Sequence, residues 1–174
     1  MRWLWYFIIY SFCGFLLEVA FARTAHHPKK DRKCLLLLPL CPVYGLGACL
    51  VVRLAPVSRG PLWVMAVGVL ATTGAELAMG AFYRFALGVE FWNYEGLPGS
   101  LGGLVCPAFS ACWTVLSLLL VYAVHPMVAA LTALIPAPLA PPAFIVLGAD
   151  MLVSCAALRR TGTTEVLRWY AFNP

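Results

Sequence analysis

The stretch Leu35–Gly47, LLLLPLCPVYGLG, constrains the fold more than any other part of the chain. It is apolar enough for a bilayer, yet Pro39 and Pro42 keep it from running as one regular helix. Each proline removes a backbone donor and clashes one turn back. The residues before them, Leu38 and Cys41, are pushed toward extended geometry, while Gly45 and Gly47 add small surfaces and backbone freedom. An unpaired backbone group in hydrocarbon costs several kcal/mol, so irregular backbone survives at that depth only against protein or a watery cavity. The segment is therefore expected inside a helical bundle, either as a functional break or as a Pro-kinked helix that only packs.

Composition sets the class. The 174 residues are 63% hydrophobic and 11% charged, with mean hydropathy +0.88, whereas soluble proteins carry about a quarter charged residues. The apolar runs are long and do not alternate, which excludes a β-barrel. The expected fold is all-α: a polytopic helical membrane protein of about five transmembrane helices, with a Pro-broken second span and a short interfacial helix before the last. Residues 1–160 read as one membrane domain and 161–174 as a cytoplasmic tail. No GxxxxGK[ST] phosphate loop, HExxH or GxSxG occurs, so no catalytic or ATP-binding motif points to an enzyme. The seven cysteines are scattered and odd in number, unlike a disulfide framework or a metal site. His26 and His27 lack further ligands around them. No cofactor and no metal are expected.

Span one runs from Trp3 to Phe21, with Ser11, Gly14 and Glu18 on one face. A basic loop, Arg23 to Lys33, follows. Span two is Leu35 to Leu54, with re-entrant entry as the alternative to a broken crossing. Span three is Leu62 to Tyr83, closed by Arg84; its Gly68, Thr72, Glu76 and Gly80 repeat every four residues as a small-residue seam. The stretch Phe85–Gly103 reads as a loop that folds back on the bundle, with Trp92 and Tyr94 as anchors at headgroup depth. Span four is Leu104 to Val124, with Ser110, Thr114 and Ser117 as a polar stripe beside Trp113. Met127–Ile135 reads as the interfacial piece, and span five is Ala143 to Leu158. Most basic residues fall on the side of the Arg23–Lys33 loop and the tail. The positive-inside rule then predicts the N-terminus outside and the C-terminus in the cytoplasm, in the cell membrane. The net charge of +5 calls for no nucleic-acid partner, since a basic face beside anionic lipid accounts for it.

Glu18, Glu76 and Asp150 lie within spans, where a charge costs at least ~2.5 kcal/mol, and such residues face the bundle interior. They are expected to meet around one polar centre, as a substrate or proton site or as structural clasps between helices. Cys41, Pro42, Tyr44 and Gly45 at the break, and Trp92 and Tyr94 in the loop, complete the candidate site.

The motifs YSFCGFLLE (Tyr10 to Glu18), PLCPVYGLG (Pro39 to Gly47), FWNYE (Phe91 to Glu95), Gly102-Gly103-x-x-Cys106 and His125-Pro126 together resemble the Putative ABC-transporter type IV membrane family. The resemblance covers about Tyr6 to Pro126. The chain departs from it at Leu38, where the family has glycine, at Asn93, where it has aspartate, and at Leu104, where it has arginine. What the resemblance implies is a small multi-pass permease component with a separate ATPase subunit as partner. Five spans are few for a pore, so a homo-oligomer is implied as well. A non-transport scaffold or regulatory subunit is the other reading.

Overall fold

The computed structural model describes residues 1–24 and 34–167. Residues 25–33 of the expected basic loop Arg23–Lys33 and residues 168–174 of the expected tail 161–174 lie outside the described residues. Four helices are long and apolar enough to cross a membrane: α1 (Arg2–Thr24), α3 (Pro61–Leu87), α4 (Pro107–Ala133) and α5 (Ala137–Thr161). The shorter α2 (Pro42–Leu54) has 13 residues. At ~1.5 Å per residue it covers roughly 20 Å, less than a hydrocarbon core of ~30 Å. The irregular stretch from Cys34 to Cys41 leads into it. The described residues contain no strand, only an isolated bridge between Leu101 and Val105.

Prolines start these helices rather than break them. Pro42, Pro61 and Pro107 each occupy the first turn of their helix, and so do the prolines that follow Ala140. A proline there loses only a donor that would have had no intrahelical partner, and its φ is already helical. This moves the start of α4 from the expected Leu104 to Pro107.

Neighbouring helices run antiparallel at close range. An added Cβ on Gly14 would strike the Tyr44 ring, and one on Gly45 would strike Ser11 Oγ and lie 2.8 Å from the Phe7 carbonyl. These contacts pack α2 down α1. The expected seam of α3 is a single buried face of Gly68, Thr72, Glu76 and Gly80. Gly68 meets Ser117 of α4, and Thr72 meets Gly47 of α2. Thr73 donates to Ser110 Oγ at 2.9 Å, and Tyr10 of α1 bonds His125 Nδ1 at 2.6 Å. Outer faces carry exposed Leu70, Phe85, Phe144 and Leu152, a lipid-facing distribution.

The stretch before α2 leaves the packed cluster at Cys34 and re-enters it at Cys41. Its middle reaches sideways to α5. There Leu37 N–H donates to Asp150 Oδ1 and Leu38 N–H to Oδ2, each at 3.1 Å. Ser154 Oγ also accepts from Leu37, at 3.2 Å, and Cys41 N–H donates to the Ser11 carbonyl at 2.8 Å. Irregular backbone at this depth is thus satisfied by protein, as the physics requires.

Three local expectations are corrected. Met127–Ile135 is not a separate interfacial helix, because most of it is the last part of α4. The helix passes Pro126 through a π-helical turn at Leu120–Val124, which widens the coil where the proline ring would otherwise clash with the carbonyl four residues back. Arg84 does not end span three; a π turn carries α3 to Leu87, and Gly88 in the left-handed region stops it. Arg84 instead pairs with Glu90 at 2.7 Å and donates to the Gly102 carbonyl at 2.6 Å. Finally, Trp92 and Tyr94 are not outward-facing anchors: Trp92 packs edge-on against Tyr83 of α3 and Tyr94 is buried. The loop after α3 does fold back, and carries both inward.

Candidate functional site

Glu76 is 2% exposed and lies roughly 16 Å from the end of α3 at ~1.5 Å per residue. Both of its oxygens are engaged. Tyr94 of the loop donates to Oε1 at 2.8 Å, and the Trp113 indole of α4 donates to Oε2 at 3.1 Å. Tyr94 can reach this depth because the loop closes on itself. Its own N–H bonds the Gly103 carbonyl at 2.8 Å, and Trp92 Nε1 bonds the Leu104 carbonyl at 2.9 Å. The Tyr94 ring stacks on Phe109 of α4, centroids 4.5 Å apart.

Glu18 approaches from α1, where Tyr44 of α2 donates to its Oε1 at 2.8 Å. The Tyr44 ring lies 4.7 Å from that of Trp113, centroid to centroid. The two acids are therefore joined by a chain of contacts: Glu18, Tyr44, Trp113, Glu76, Tyr94. That chain ties together α1, α2, α3, α4 and the loop after α3. Two hydroxyls and an indole on carboxylate oxygens are bonds of the stronger, charge-assisted kind when the acid is ionised.

Both acids line one cavity of about 210 Å³, together with Cys41, Tyr44, Trp92 and Tyr94. Six of the nine expected site residues are thus brought together. The other three are not. Asp150 is 8% exposed, and both of its oxygens hold the main chain of Leu37 and Leu38. The expected meeting of three carboxylates does not occur, because α5 packs against the irregular stretch and not against the cavity. Pro42 starts α2, and Gly45 is consumed in the contact with α1.

Trp113 was only a neighbour of a polar stripe in sequence terms, yet it is central here. A tryptophan in mid-span, away from the interface, must find an acceptor for its N–H, and that signal points to Glu76. Among the described residues no group of three or more His, Cys, Asp or Glu could hold a metal ion.

Antiparallel apolar helices around a buried, acid-containing cavity define an integral, polytopic helical membrane protein. Residues 5–157 match the family described as Putative ABC-transporter type IV, and the chain belongs to that family. No curated protein and no solved structure matches it.

Proposed function

We propose that this protein is a membrane-embedded permease component whose Glu18–Glu76 cavity binds a solute or exchanges protons. The observation that carries this reading is the placement of two acids on the wall of one intramembrane cavity. Ionisable groups at such depth are costly to insert and mark transport pathways more often than surfaces do. Membership of a transporter family supports it. An ATPase subunit would then dock on the side that bears the α1–α2 connection and the loop after α3, and more than one copy would be needed for a pore. The N-terminus lies outside and the C-terminus in the cytoplasm of the cell membrane, following the bias of basic residues.

The test is a mild-detergent pull-down of the intact protein, with bound proteins and small molecules identified by mass spectrometry. An ATPase and a retained solute are expected, and Glu76→Gln, nearly isosteric, should keep the fold and lose the solute. If Glu76→Gln retains full function while Glu76→Leu loses folded protein, Glu76 is a clasp.

The scaffold reading has one observation in its favour. Asp150 is bonded entirely to groups within the fold that are named above, as expected of a structural acid. A stable complex with another membrane protein, without flux, would support it.

A further inference from the structure

Tyr10 and His125 are joined by a bond that the acidic cavity does not use. Both lie in helices apolar enough to cross the membrane, α1 and α4, and the Tyr10 hydroxyl is 2.6 Å from His125 Nδ1. An ionisable ring within a span is a functional candidate by default. Tyr10 is 3% exposed and His125 is half-buried. The Tyr6 ring meets the imidazole edge-on, with centroids 5.2 Å apart. The direction of the bond follows from the hydroxyl. Among the described residues Tyr10 Oη bonds no other group, so its proton goes to Nδ1, which is then the bare nitrogen of a neutral ring. His125 also closes the π turn of α4, its own N–H bonding the Leu120 carbonyl, and Pro126 follows. Next to this tie a cavity of about 110 Å³ lies between the helices, lined by Cys13, Gly14 and Leu17 of α1 and Leu116, Leu120 and Val124 of α4. The bond therefore pins α1 to α4 where the packing beside it is incomplete and the winding of α4 is irregular.

We propose that Tyr10 and His125 form a proton-operated latch between α1 and α4, closed when the imidazole is neutral and released when it takes a proton. A proton on Nδ1 turns the acceptor into a donor. The Tyr10 oxygen could then accept, but its own proton would be stranded in a buried place. The positive ring would also have no counter-charge. The groups that face the pair are Tyr6 of α1, with Cys13 beyond Tyr10, and Cys49 of α2. α3 and α5 place no residue in this cluster, and α4 itself carries no charged residue. Arg2 and Arg53, one turn further out than Tyr6 and Cys49, are exposed. None of these is a carboxylate, and an unpaired buried charge is costly. Parting α1 from α4 relieves that cost by admitting water to the ring. The joint for such a movement is in place, because π turns and prolines are where helices bend. The stretch of α4 beyond His125 can swing away from α1 without unfolding. A histidine that reports its protonation through a bistable contact is a recognised kind of switch. The proposal concerns a contact between helices and holds whatever the Glu18–Glu76 cavity binds.

The experiment measures hydrogen–deuterium exchange of the full chain in lipid nanodiscs at about pH 8 and about pH 5, either side of the range in which histidine titrates. Rates are corrected for the intrinsic effect of pH on exchange. In peptides covering residues 6–14 and 118–128, exchange should be a few-fold to about tenfold faster at the lower pH, the weight of one hydrogen bond. Tyr10→Phe should exchange fast at both pH values. His125→Gln, which keeps an acceptor but takes no proton, should exchange slowly at both. Nitrogen-15 spectra of histidine-labelled protein carrying His26→Gln and His27→Gln, so that His125 alone reports, read the site with the latch residues intact. They should show a bare, hydrogen-bonded Nδ1 at the higher pH and a protonated one at the lower. Wild-type exchange that ignores pH overturns the latch. So does an equal response in His125→Gln, which puts the response on another group, and so does slow exchange of Tyr10→Phe at the higher pH. An Nδ1 that already carries a proton at about pH 8 overturns it even if neither latch variant folds.

Discussion

Asp150 and Leu37 meet across 113 positions of sequence, the carboxylate oxygen accepting the main-chain N–H at 3.1 Å. The second oxygen does the same for Leu38. One aspartate thereby does for an unwound segment what a helix does for itself. Asp150→Ala would remove the acceptor of Leu38 N–H and leave Ser154 Oγ as the acceptor still in reach of Leu37 N–H. A loss of roughly 1–3 kcal/mol is expected, read as a lowered midpoint of thermal unfolding in detergent. Asp150→Asn keeps one acceptor oxygen and should lose about half as much. Equal stability of all three proteins would remove the aspartate from this role.

The approach of α2 to α1 depends on Gly45. Even a methyl group there meets Ser11 Oγ and the Phe7 main chain, so Gly45→Ala should cost about 1–3 kcal/mol and Gly45→Leu should lower the yield of folded protein sharply. Gly74, with nothing near its missing Cβ, is the internal control. Gly74→Ala should be neutral or stabilising by ~0.5–1 kcal/mol. Size-exclusion profiles of the three variants separate close packing from a general intolerance of substitution.

Arg84 and Glu90 tie the loop after α3 to the helix end, but the pair is partly exposed, at 24% and 41%. Such pairs contribute ~0.2–1 kcal/mol. A double-mutant cycle on Arg84→Ala and Glu90→Ala should return a coupling in that range. A much larger value would mean that the pair holds the loop, and Tyr94 with it, against Glu76.

The sidedness follows from reporter fusions. A reporter active only outside the cytoplasm should be silent when placed after Lys30 and active after Ser58. The opposite pattern would invert the orientation.

Much of the membrane architecture was written in apolar run length. Periodicity revealed the α3 seam, because a four-residue repeat of small residues has one physical use in a bundle. The break before α2 was equally plain from Pro39 and Pro42. What sequence could not supply was the partner of the broken backbone, since nothing local in LLLLP names Asp150. The same limit hid the division among the acids. Depth alone groups Glu18, Glu76 and Asp150, and only the lateral order of helices separates them. Pro126 misled for a different reason. A proline reads as a stop, and whether a π turn absorbs it depends on packing along the whole of α4. Trp92 and Tyr94 read as outward anchors because aromatic residues near a span usually are, and the loop's own hydrogen bonds turn them onto the bundle.

The bond between Asp150 and the Leu37–Leu38 main chain also has a consequence for the order of synthesis. The unwound stretch is made and enters the membrane long before its acceptor exists. Until α5 arrives, two amide donors must be sheltered by water, by the translocation machinery or by another protein. The last helix therefore acts as a completion signal for the second. A chain stopped before Ala137 would contain the first four crossings and both acids of the cavity, yet should be recognised as unfinished and degraded, and α5 supplied as a separate polypeptide should rescue it.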